Sequence, residues 1–150
     1  KKKEAAVVST LKGPELEAFK LGKTIYSKEG YCITCHQADG KGLSASGFQP
    51  LSDQWVQGSE ERLIKIVLKG LLGPIEVSGK QYTGQVPMTP FAGLLNDKEV
   101  AAVLTYVRNS FGNKASAITP EKVKAVRAAT ASQSDIYTST KLLKEHPLEK

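Results

Sequence analysis

Among 150 residues the sequence has two cysteines, two histidines, one methionine and one tryptophan, so most metal and redox chemistries run short of donors. A structural zinc site ordinarily takes four ligands. Beyond Cys32, Cys35 and His36 the chain adds only His146, next to Pro147 in a polar tail. Long apolar runs are missing as well: the best, Leu63 to Leu72, is broken by Lys65, Lys69 and Gly70 and falls well short of the roughly 20 residues that span a bilayer. Lys1 to Lys3 followed by Ala5, Ala6, Val7 and Val8 imitates the start of a signal peptide, but the apolar part is too short, and we read a mature or excised segment. No basic helix interleaved with aromatics is present, so the formal charge of +6 does not point to nucleic acid. No βαβ pattern surrounds the cysteines, which argues against a thioredoxin-like dithiol, and no internal repeat is visible. Aromatic content is only 7%, which leaves a modest core that a buried flat cofactor would complete.

The helical signals are clear by contrast. Pro14 opens a helix expected to run to about Lys28, with Leu16, Phe19 and Ile25 or Tyr26 about a turn apart. Ser59, followed by Glu60 and Glu61, caps a second helix that Gly70 stops. Asn96 and Glu99 form a capping-box pair before a helix to about Phe111. Thr119, Pro120 and Glu121 start a last one, to about Ala129. Residues 37–54 and 71–95 read as loops, with a short hairpin over Ile75 to Val77 and Gln81 to Tyr82. After Ala129 only Leu142 and Leu143 look able to anchor the tail.

Both cysteines fall in one pentapeptide, Cys32-Ile33-Thr34-Cys35-His36, the CxxCH pattern of covalent haem attachment. Two thiols three positions apart face one side of a helical turn and can each add to a porphyrin vinyl group, while the adjoining imidazole meets the iron. A plain disulfide is compatible with the count but leaves His36 without a role. For the opposite face of the iron the chain offers one soft sulfur donor, Met88, in a loop stiffened by Pro87 and Pro90; His146 is the rival ligand. A ligating histidine normally donates its other ring nitrogen to a fixed acceptor, and Pro50, in the loop after the motif, is the candidate for its carbonyl. Trp55 and Tyr82 carry polar tips able to reach a propionate or simply to pack.

Four stretches together resemble a known family. They are Gly22-Lys23-Thr24-Ile25-Tyr26 leading to the CxxCH, Gly40-Lys41-Gly42-Leu43, Val86-Pro87-Met88-Thr89-Pro90-Phe91, and Leu104-Thr105-Tyr106-Val107-Arg108-Asn109. The sequence is similar to class I monohaem cytochromes c, of the bacterial kind often fused to or partnered with extracytoplasmic oxidoreductases. The resemblance implies an all-α fold of about four to five helices around one covalent haem c, with the first and last core helices crossing where Gly22 allows close approach and Tyr106 packs. It implies His36 and Met88 as axial ligands and Pro50 as the acceptor for His36. The Gly22 to Cys32 segment is slightly longer than the family pattern, which puts the helix crossing in question more than the haem site.

The organisation expected is a flexible lead-in over 1–13, a haem domain over 14–114, and a C-terminal helical extension and tail over 115–150, of the type found when such a domain is one module of a longer polypeptide. The expected function is single-electron transfer, relaying between an oxidoreductase and another redox partner, with no catalytic residues. The alternative is a peroxidase-like or ligand-binding haem protein with an open sixth position, though no distal His or Arg constellation accompanies Met88. Covalent haem implies an extracytoplasmic location. The basic charge suits a partner, free or fused, with an acidic docking surface, with Lys41, Lys69, Lys80 and Lys98 as candidates for steering it.

Overall fold

The computed structural model describes residues 11–43 and 48–148, so most of the expected lead-in lies outside the described residues. Seven helices and one hairpin follow in order among them. They are α1 (Pro14–Tyr26), α2 (Cys32–His36), α3 (Asp53–Gln57), α4 (Glu60–Lys69), β1 (Ile75–Val77), β2 (Lys80–Tyr82), α5 (Asp97–Arg108), α6 (Pro120–Ala129) and α7 (Ser139–Glu145). The all-α expectation holds, and the hairpin stands where the sequence put it, pairing Ile75 with Tyr82 and Val77 with Lys80. No helix among the described residues is long and apolar enough to cross a membrane.

Local chemistry explains the ends of these elements. Ser59 Oγ accepts from the Arg62 amide at the start of α4, and Thr119 Oγ1 accepts from Lys122 at the start of α6. Asn96 and Glu99 close both halves of a capping box on α5. That helix stops at Arg108, short of the expected Phe111, because Asn109 Nδ2 donates to the Thr105 carbonyl and Asn113 Nδ2 to the Val107 carbonyl. The side chains thereby take acceptors that another helical turn would use.

α1 and α5 cross in close contact, which answers the doubt raised by the longer Gly22 to Cys32 segment. A side chain at Gly22 would run into the Ala102 carbonyl and come within 2.8 Å of Tyr106 Cβ. The glycine is what lets the helices touch. Around the crossing, Tyr106 packs its ring 5.1 Å from that of Phe19 and 5.4 Å from that of Tyr26. α4 turns Leu63, Ile64, Val67 and Leu68 into the same core.

A second, smaller core joins Trp55, Ile66, Leu71, the hairpin residues Ile75, Val77 and Tyr82, and two residues of the extension, Tyr137 and Leu142. Here the structure adds to the sequence reading. The stretch after Ala129 is more than a tail with two anchors: Thr138 caps α7, and Leu142 is fully buried. Two arginines fasten the extension. Arg108 donates to the carbonyls of Ser116, Val56 and Gly58, and Arg62 donates to those of Gln54 and His146 while lying over the Trp55 ring.

Candidate haem site

α1 ends at Tyr26, and a tight turn through Gly30 leads directly into α2, a single helical turn made of the CxxCH motif. One turn is enough, because residues three and four apart share a helix face. Cys32 and Cys35 are half-buried free thiols and His36 is buried. The turn is braced from below: the Tyr26 hydroxyl donates to the Gln37 carbonyl at 2.6 Å, and the Gly42 amide donates to the His36 carbonyl at 3.0 Å.

His36 Nδ1 lies 2.9 Å from the Gln49 carbonyl. A carbonyl only accepts, so Nδ1 carries the proton and Nε2 keeps its lone pair for a metal. This corrects the expectation for Pro50 by one residue. Pro50 lines the cavity but does not supply the acceptor. A proline biases the residue before it away from the helical conformation, and Gln49 is that residue. Burial holds the imidazole below its ordinary pKa, only partly offset by the bond to Gln49, so near pH 7 the ring is neutral and able to ligate. Burial also pushes the Cys32 thiol up, to about 11.

His36 opens into an apolar cavity, lined by Cys32, Gln49, Pro50 and Leu51 on the motif side and by α4 and α5 residues such as Leu63, Val67 and Leu104 behind. Met88 lines the same cavity, together with Leu71 and Phe91. A second lobe continues from it past Cys35, Tyr31 and Phe48 to Val86 and Pro87, and His36 and Met88 line both. The structure thus brings together Cys32, Cys35, His36 and Met88, and leaves other candidates outside. His146 ends α7 against Arg62 and lines neither lobe. Tyr82 belongs to the second core, and the Trp55 indole, although at the cavity wall, donates to the Glu76 carbonyl at 2.9 Å. Lys41, Lys69, Lys80 and Lys98 line neither lobe.

Residues 19–111, more than half of the chain, match the family model described as cytochrome c. The chain belongs to the cytochrome c family. Among curated relatives, cytochrome c-552 of Thermus thermophilus is 34% identical over 132 residues, covering 81% of this chain and 95% of that protein. The gluconate 2-dehydrogenase cytochrome c subunit of Pantoea cypripedii is 36% identical over 101 residues, covering 64% of this chain. The fructose dehydrogenase cytochrome subunit of Gluconobacter japonicus is 29% identical over 114 residues, covering 71%. The chain spans 22% of each dehydrogenase subunit.

As a cytochrome c the chain carries covalently bound haem c with its iron, and its work is electron transfer, not conversion of a substrate. The residues present fit that group. Two unpaired thiols stand beside a neutral imidazole with a free Nε2, at the wall of a cavity whose lining is almost wholly apolar. The bound iron porphyrin supplies a centre that gains and loses one electron; the protein supplies attachment, orientation and a dry surrounding.

Proposed function

We propose that this chain is a single-electron carrier whose haem is bound through Cys32 and Cys35 and ligated by His36 on one face and Met88 on the other. The observation that supports it most directly is that His36, Met88 and Cys32 line both adjoining lobes of the cavity, with Cys35 in the second. The Gln49 carbonyl fixes the His36 tautomer and raises its basicity. A thioether is a soft, neutral ligand that favours the ferrous state, so His/Met ligation gives a raised potential. That suits a relay that takes electrons from an oxidoreductase and hands them to another redox partner, a role consistent with the dehydrogenase subunits among the relatives. Haem attachment through thioethers fits an extracytoplasmic compartment, and the charge of +6 favours a partner with an acidic docking surface.

The ferric spectrum tests the ligation. Met88 as ligand gives the weak far-red sulfur-to-iron band, and Met88→Ala abolishes it, lowers the potential and opens the iron to cyanide. A spectrum unchanged by Met88→Ala would refute the assignment.

A further inference from the structure

The loop that carries Met88 is anchored beyond it, where the Phe91 and Ala92 amides donate to the Val67 and Leu68 carbonyls at 2.9 and 3.2 Å, and is thinly held before it. Val86 is 55% exposed, and Pro87 and Pro90 have no amide hydrogen to donate. What ties Met88 down is a two-way backbone exchange with Leu71: the Met88 amide donates to the Leu71 carbonyl at 2.8 Å, and the Leu71 amide donates back at 3.3 Å. Leu71 is itself held from its other edge. It bridges Tyr137 in parallel, and the Leu72 amide donates to the Tyr137 carbonyl at 2.9 Å. Two residues on, Ser139 Oγ donates to the Pro74 carbonyl at 2.6 Å. The result is a narrow ladder in the order Met88, Leu71, Tyr137, its outer rail supplied by the extension.

Gly70 shows how closely the rails meet. With φ at +84°, it lies where a Cβ would come within 2.5 Å of the Met88 carbonyl oxygen and 2.9 Å of the Ile136 side chain. The ligand loop and the extension close on the same point.

We infer that the segment from Ile136 to Ser139 is a strap that positions the Met88 loop, acting through Leu71 and Leu72, so that the C-terminal extension sets how readily the sulfur leaves the iron. The inference rests on Met88 as the sixth ligand. Tyr137, Ile136 and Gly70 are positioning residues: none of them lines the cavity.

The test uses the full-length haem-loaded protein and its Gly70→Ala and Gly79→Ala variants. Both glycines have positive φ, +84° and +80°, so both variants carry the same kind of backbone strain. A Cβ at Gly79 meets nothing within 4 Å, whereas one at Gly70 pushes Met88 and Ile136 apart. Cyanide binding to the ferric protein reports the opening of the iron–sulfur bond, and the far-red band and midpoint potential report its strength. Gly70→Ala should bind cyanide at least tenfold faster than wild type, with a weakened band and a lower potential, and Gly79→Ala should match wild type. Equal rates for the two variants, with the band intact in wild type, overturn the strap alone. A wild-type protein without the band overturns the ligand assignment and the strap with it.

Hydrogen exchange in the unmodified protein gives a second measurement that needs no variant. If the ladder opens as a unit, the amides of Met88 and Leu72 exchange with the same opening equilibrium. A freely exchanging Leu72 beside a protected Met88 overturns the strap.

Discussion

Replacing Gly22 by alanine sets two known effects against each other. In a helix interior alanine is favoured over glycine by about 1 kcal/mol, so on propensity alone the change would stabilise α1. The crossing with α5 opposes it. The new Cβ would lie 2.6 Å from the Ala102 carbonyl carbon and 2.8 Å from Tyr106 Cβ. One of these obstacles is helix backbone, which cannot swing aside as the end of a long side chain can. The helices must separate, loosening the contacts of Tyr106 with Phe19 and Tyr26. Overpacking costs about 1–3 kcal/mol, and with rigid backbone in the way the upper end applies, leaving a net loss of about 2 kcal/mol. For a chain of this size that lowers Tm by about 6 °C. Thermal unfolding of the haem-loaded protein, followed by circular dichroism at helical wavelengths, measures it. An unchanged or raised Tm would mean that propensity wins and that α1 and α5 do not touch at Gly22.

Four further outcomes follow from the same coordinates. Arg108→Met strands the carbonyls of Val56, Gly58 and Ser116, while Glu60 keeps Lys122 and Ser116, and should cost about 2–3 kcal/mol in urea unfolding. The hydrogen bond from Lys65 holds the Glu145 carboxyl below its usual range. A depressed carboxyl stabilises the fold above its unfolded pKa and loses that contribution as pH falls through the folded one, so Glu145→Gln should lower stability at pH 7 by less than about 1 kcal/mol and flatten its decline on the acid side of the carboxylate range. Cys35→Ala should weaken haem retention after denaturation, measured by intact mass, with one thioether left at Cys32; retention equal to wild type would remove Cys35 from the attachment. If the carrier meets an acidic partner by diffusion, its second-order transfer rate in stopped flow should fall as salt shortens the Debye length below about 10 Å; a salt-independent rate would point to a tethered partner instead.

What was legible in the sequence was whatever local chemistry decides. The CxxCH turn, the caps at Ser59, Asn96 and Thr119, and the hairpin at Ser78-Gly79 each depend on residues within a few positions of one another. What depends on long-range closure was not. The acceptor for His36 fell on Gln49 because the direction of a carbonyl is a property of the folded loop; the residue before a proline was the available signal. Helix α7 escaped notice because it is short and mostly polar and owes its place to Leu142 entering a core built by the hairpin. The burial of Arg62 and Arg108 could not be read from the helices that carry them, since their acceptors include carbonyls of segments remote in the chain.

The Arg62 guanidinium joins Gln54, eight positions before it, to His146, 84 positions after it. Closing so long a stretch costs chain entropy that only contacts already in place can offset. The two sides of the cavity are therefore finished over very different spans of chain: the CxxCH turn is held by Tyr26, Gly42 and Gln49, all within about 15 residues of it, whereas the hairpin side waits on Tyr137 and Leu142.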